Sequence, residues 1–224
     1  MLGQHGRGLT RALFTRPALA MARAGITPNT LTVTGTVLSV TAAVVTLPQG
    51  HFLVGPPLLG ILLVADSFDG ILARATGQSS VFGAFLDSTL DRLADGAVMG
   101  SLAVWAALRM EPGTLRTVTV VLATASVVLG AVVPYARARA ESVGATAAVG
   151  VAERTDRLVV SLVAAFIVGL GAPQWVLSGA LGYVAAACLV TVVQRVLTVR
   201  GQIGPGAAVR QEPVLGAGTS GGRA

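Results

Sequence analysis

Four aspartates sit inside otherwise apolar segments, in the run Asp66-x-x-Asp69-Gly70-x-x-Ala73-Arg74, then eight residues, then Gly83-x-x-x-Asp87-x-x-x-Asp91. At about 3.6 residues per turn, Asp66, Asp69, Gly70, Ala73 and Arg74 share one helical face, and Gly83, Asp87 and Asp91 share another. Carboxylates crowded together away from water cannot all ionise unaided, because desolvation and like charge both oppose it. A divalent cation would hold them deprotonated, and oxygen-only ligation favours Mg²⁺ or Mn²⁺ over zinc. Gly70 and Ala73 leave that face without bulk, as a flat base or a pyrophosphate would require. Arg74, one turn further on, suits phosphate through bidentate hydrogen bonding. The competing chemistry is an ion or proton path, which a single intramembrane acid often serves.

The elements that must carry these side chains are membrane helices. The chain has 224 residues, is 53% hydrophobic and only 12% charged, and its mean hydropathy is +0.75, which excludes an ordinary solvated domain. Six apolar stretches are long enough to span a bilayer core, at about 29–48, 53–75, 81–109, 116–140, 154–171 and 174–198. The expected fold is therefore an all-α integral membrane protein with six transmembrane helices. All sixteen basic residues are arginines, and alternating sides places fourteen of them together, with only Arg109 and Arg116 opposite. That asymmetry puts both termini and the aspartate hairpin's opening in the cytoplasm. The setting expected is a bacterial cell membrane crossed several times, with no nucleic-acid partner.

Residues 1–28 carry Arg7, Arg11, Arg16 and Arg23 among Leu9, Leu13, Phe14, Leu19 and Met21, the pattern of an amphipathic helix lying at the headgroup level. Thr27-Pro28-Asn29-Thr30 reads as the start of the first span, with Asn29 or Thr30 as its cap. Residues 29–200 form the membrane domain, and 201–224, rich in Gly, Pro and small residues, read as a flexible cytoplasmic tail. Cys188 lies in a long apolar run and reads as a small buried hydrophobe. Gly96-x-x-x-Gly100 offers a close-packing stripe, within the chain or between copies.

The aspartate run resembles the signature of the CDP-alcohol phosphotransferases, D-x-x-D-G-x-x-A-R-x8-G-x3-D-x3-D, with every specified position present. The resemblance implies a homodimeric, metal-dependent transferase that moves a substituted phosphate from CDP-diacylglycerol, drawn from the surrounding bilayer lipids, to an alcohol, releasing CMP. It implies two bound Mg²⁺ ions, Mn²⁺ being possible. Asp66, Asp69, Asp87 and Asp91 would be the metal ligands, with Asp91 also the general base for the attacking hydroxyl. Gly70, Ala73, Arg74 and Gly83 would hold the cytidine and diphosphate, and Asn29 at the head of the first span joins that set.

For the acceptor, Arg137, Arg139, Arg154, Arg157 and Arg195 fall on the same membrane side, and such a cluster suits a phosphomonoester better than a neutral alcohol. The segments Tyr135-Ala-Arg137-Ala-Arg139-Ala-Glu141, Glu153-Arg154-Thr-Asp-Arg157 and Gln194-Arg195 are similar to the actinobacterial phosphatidylinositol-phosphate synthases, which implies inositol 1-phosphate as acceptor. The alternatives are glycerol 3-phosphate as acceptor, an ion- or proton-coupled transporter, and a catalytically inactive membrane scaffold.

Overall fold

A computed structural model describes Gly25 and residues 27–203, with the backbone alone at 67–71 and 74–76. Among the described residues six helices follow one another: α1 Pro28–Thr46, α2 Gly55–Thr76, α3 Val81–Arg109, α4 Thr114–Ser142, α5 Arg154–Gly169 and α6 Trp175–Ile203. Each lies within a few residues of an expected span. Three of them, α1, α4 and α6, are long and apolar enough to cross a membrane. The others either carry the acids and arginines of the site or, in α5, have only 16 residues. The amphipathic helix expected within residues 1–28 lies almost wholly outside the described residues, as does most of the tail expected at 201–224.

Two helix starts set the geometry of the aspartate hairpin. The cap of α1 is Thr27, whose Oγ1 accepts the Thr30 amide at 3.2 Å, so the expected cap at Asn29 or Thr30 moves back by two or three positions. Pro28 has no N–H to satisfy and fits the first helical position, which makes its predecessor the cap and leaves the Asn29 side chain free for other work. α2 ends at Gly77, whose φ of 67° is the left-handed conformation that lets the last turn close. Three residues later Ser80 caps α3 by accepting the Gly83 amide at 2.9 Å. The reversal is short, so the acid-bearing ends of α2 and α3 come back alongside each other.

α1 packs against both α2 and α3, α5 touches α2 and α3 from the other side, and α4 lies between α3 and α6. The apolar interior joins Leu47, Leu102, Trp105, Ala106, Leu177 and Leu181, with the rings of Phe52 and Trp105 4.7 Å apart. Small polar groups tie α4 to α6: Thr119 and Ser178 share a hydrogen bond at 2.6 Å, and Ser126 donates to the Leu181 carbonyl at 3.2 Å. In a bilayer, such hydrogen bonds and close packing replace the hydrophobic drive that holds a soluble core. Large apolar side chains such as Val37, Val45, Ile61, Phe85, Val121, Leu189 and Val193 point outward, as a lipid-facing surface requires. Cys188 is fully buried, as its setting predicted.

The connection from α4 to α5 is fastened along one face of α6. Thr191 Oγ1 accepts the amides of Val151 and Ala152, both at 3.1 Å. Arg195 Nε donates to the Val149 carbonyl at 2.9 Å. One and a half to two turns further on, Gln202 accepts the Thr146 amide at 2.8 Å and donates back to its carbonyl at 2.7 Å. α6 continues to Ile203, so Gln202 makes these bonds from its last turn.

Candidate active site

One cavity is built from the first three described helices. Pro28, Asn29 and Thr32 of α1 face Ala73 of α2 and Gly83, Ala84 and Asp87 of α3, with Gln78, Ser79 and Ser80 closing the reversal. Three residues of the expected cytidine-diphosphate set, Asn29, Ala73 and Gly83, therefore come together. The other two, Gly70 and Arg74, have side chains outside the described residues, as does the metal-ligand candidate Asp69. Gly83 is needed for space: a Cβ there would lie 3.1 Å from Ser80 Oγ and 3.2 Å from Asn29 Oδ1, tighter than ordinary van der Waals contact.

Deeper in the same hairpin, the acids meet a guanidinium from α5. Arg154 Nη1 lies 2.8 Å from both Asp66 Oδ2 and Asp91 Oδ1, and Arg154 Nε lies 3.0 Å from Asp95 Oδ1. Arg157, one turn on and 5% exposed, places Nη2 2.8 Å from Asp95 Oδ2 and gives Nη1 to the Ala152 carbonyl at 3.1 Å. Asp91 also has Arg92 beside it, at 3.4 Å. Asp87 takes part in an interaction of its own and lines the nucleotide cavity.

This arrangement fits a divalent ion. The donors are all carboxylate oxygens, the set preferred by hard cations. Among the described residues no three acidic, histidine or cysteine side chains gather on a single point, and the Arg154 guanidinium contacts both Asp66 and Asp91. The Arg154 guanidinium supplies the opposite charge to Asp66, Asp91 and Asp95.

A second cavity of about 340 Å³ opens beside Arg154, lined by Arg92, Val133, Pro134, Arg137, Gly150, Glu153, Arg154, Arg157 and Arg195, among others. Its size suits a small polar ligand. Four of the five arginines expected at the acceptor phosphate thus line one cavity. Arg139 does not line it and instead donates to Ser142 Oγ at 3.2 Å. Arg137 makes an exposed ion pair with Glu141 at 3.0 Å. Arg195 gives hydrogen bonds to the Val149 and Val133 carbonyls, so part of its capacity goes to shaping the wall. Arg92 also lines the cavity, and its buried Nε has no hydrogen-bond partner among the described residues.

Residues 25–193 match the model of the CDP-alcohol phosphatidyltransferase family. A phosphatidylinositol phosphate synthase of Streptomyces avermitilis is 42% identical over 206 residues, 89% of this chain and 83% of that protein. Its counterpart in Mycobacteroides abscessus is 42% identical over 192 residues, 85% of this chain and 86% of its own. Among solved structures, Mycobacterium tuberculosis phosphatidylinositol phosphate synthase with CDP-DAG bound superposes with a TM-score of 0.81 at 33% identity, over 90% of this chain and 99% of that one. The same protein in complex with manganese and citrate gives a TM-score of 0.81 at 33% identity, over 89% and 93%. Helical membrane architecture, a cluster of acids at a helical reversal and an adjoining recess fit the membrane phosphotransferase class that these matches define. The chain belongs to the CDP-alcohol phosphatidyltransferase family. An enzyme of this family replaces the ion-pathway and inactive-scaffold alternatives.

Proposed function

We propose that the chain transfers the phosphatidyl group of CDP-diacylglycerol to inositol 1-phosphate, releasing CMP and leaving phosphatidylinositol phosphate in the membrane. The observation that carries this reading is the junction at Arg154, where the acid cluster containing Asp91 abuts an arginine-lined cavity. A phosphorylated alcohol held by Arg137, Arg154, Arg157 and Arg195 would bring a hydroxyl toward Asp91. The relatives named for phosphatidylinositol phosphate support inositol over glycerol in that cavity. Glu153, on the same wall, offers an acceptor for ring hydroxyls.

In the reaction, the acceptor hydroxyl oxygen bonds to the phosphorus that carries the diacylglycerol, and the bond from that phosphorus to the oxygen of CMP breaks. Asp91 takes the hydroxyl proton as general base. Asn29, Gly70, Ala73, Arg74 and Gly83 hold the cytidine diphosphate, and the lipid tails remain in the bilayer. Asp66, Asp69, Asp87 and Asp91 would hold two Mg²⁺ ions, with Mn²⁺ accepted in their place, which neutralise the diphosphate and the departing CMP. The protein's share is positioning and charge placement rather than covalent chemistry.

The same reading takes all six helices as spans, with residues 1–28 on the membrane surface, 29–200 as the membrane domain, 201–224 as a tail, and the site and both termini cytoplasmic. Two copies form the working unit. At Gly96 and Gly100 an added Cβ would meet no atom of the same chain within 4 Å, which leaves room for a helix of a second copy.

Purified protein is to be incubated with CDP-diacylglycerol, Mg²⁺ and either inositol 1-phosphate or glycerol 3-phosphate, with CMP measured. Release with inositol 1-phosphate, abolished by a chelator and restored by Mg²⁺ or Mn²⁺, is the expected result. CMP release with glycerol 3-phosphate alone would overturn the inositol assignment.

A further inference from the structure

Asp95 lies outside the aspartate signature, one turn beyond Asp91, yet it joins the acid cluster to the arginine-lined cavity. Its Oδ1 accepts Arg154 Nε at 3.0 Å and its Oδ2 accepts Arg157 Nη2 at 2.8 Å. The two arginines stand three positions apart on the first turn of α5 and both line the cavity. One carboxylate of α3 therefore orients both.

We propose that Asp95 is a positioning residue for the phosphorylated acceptor, an inference that rests on the acceptor reading above. Neutralising the buried Arg157 would need only one contact. Arg154 already has Asp66 and Asp91 to balance its charge, so what Asp95 adds is a fixed direction at Nε. With Nε held, Arg154 can exchange Asp66 and Asp91 for the acceptor's phosphate without its guanidinium leaving the cavity wall. Arg157 is fixed at its other end by the Ala152 carbonyl, and that carbonyl belongs to the connection fastened by Thr191. Asparagine at position 95 would keep one acceptor oxygen and set an amide N–H₂ against a guanidinium donor, so one of the two arginines must turn away.

The test uses the full chain, wild type, Asp95→Asn and Asp95→Glu, with KM measured separately for inositol 1-phosphate and for CDP-diacylglycerol. Thermal stabilisation by inositol 1-phosphate without nucleotide gives a second readout. Asp95→Asn is expected to raise the acceptor KM by about tenfold or more while leaving the CDP-diacylglycerol KM within about twofold, and to weaken the stabilisation. Asp95→Glu keeps the charge, so it carries the test if the asparagine variant does not fold; a smaller rise confined to the acceptor is expected. An equal rise in both KM values, or a glutamate variant with the wild-type acceptor KM, overturns the proposal. A wild-type enzyme active with inositol 1-phosphate whose position-95 variants keep its acceptor KM sinks this inference alone. A wild type inactive with that acceptor sinks the acceptor reading and this inference with it.

Discussion

Arg154 and Asp91 meet at 2.8 Å, the guanidinium of one helix against the carboxylate expected to take the substrate's proton. The contact is part buried and shared with Asp66. A divalent ion held by these oxygens would compete with the guanidinium, which also lines the arginine-rich cavity. On the proposed reading, cation binding at the acids and acceptor binding in the cavity are expected to be linked through one side chain.

Arg154→Gln is expected to separate the two events. Without the competing guanidinium, Mn²⁺ should bind the nucleotide-free protein more tightly, by about tenfold, while the acceptor KM rises by about tenfold or more. Titration calorimetry with Mn²⁺ alone gives the first quantity and CMP release gives the second. Unchanged or weaker Mn²⁺ binding would mean that Arg154 does not compete with the ion.

Asp91→Asn removes the proton acceptor while keeping the side chain's size. CMP release should fall by about 10²–10⁴-fold, with CDP-diacylglycerol binding largely kept because the nucleotide cavity is lined by Asn29, Ala73, Gly83 and Asp87. Turnover and binding of CDP-diacylglycerol, measured on the same preparation, check this. Wild-type turnover in the variant would remove Asp91 from the mechanism.

Gly83→Val places a branched side chain where even a methyl would crowd Asn29 and Ser80. The expected effect is a rise of about tenfold or more in the KM for CDP-diacylglycerol with little change in the acceptor KM. Steady-state kinetics with each substrate varied in turn reads the difference.

Thr191→Val keeps shape and loses the oxygen that accepts two amides of the α4–α5 connection. Two backbone N–H groups then lose their partner, at a cost of about 1–3 kcal/mol for each one left buried. A lower Tm together with a raised acceptor KM is expected, and Thr191→Ser should recover both. An unchanged acceptor KM would show that the connection does not need Thr191 to keep the cavity in shape.

The run of aspartates was legible because helical periodicity fixes which residues share a face, and the reversal between Thr76 and Val81 leaves few ways to arrange two helices. The same periodicity shows why Arg137 and Arg139 part company: positions two apart on a helix point about 200° from each other, so a single cavity takes one of them. The cap at Thr27 was also within reach, since proline at the first helical position makes the preceding residue the natural cap.

Spacing along the chain could not reveal that Arg154 enters the acid cluster. It meets Asp95 across 59 positions and Asp66 across 88, and such pairings depend on how α5 is seated between α2 and α3. The same holds for Arg195. Its charge suggested a phosphate ligand, while its hydrogen bonds to Val149 in the α4–α5 connection and to Val133 in α4 follow from how α6 packs against both, which no local pattern dictates.

Among the described residues, the recess between α1, α2 and α3 is lined from positions 28–87, whereas the arginine-lined cavity takes all but Arg92 from 133–195. On the proposed reading, donor and recipient are handled by successive stretches of polypeptide, stitched together where α3 meets α5. A change of recipient could be made by grafting the later stretch as a cassette, leaving the cytidine-reading front unaltered.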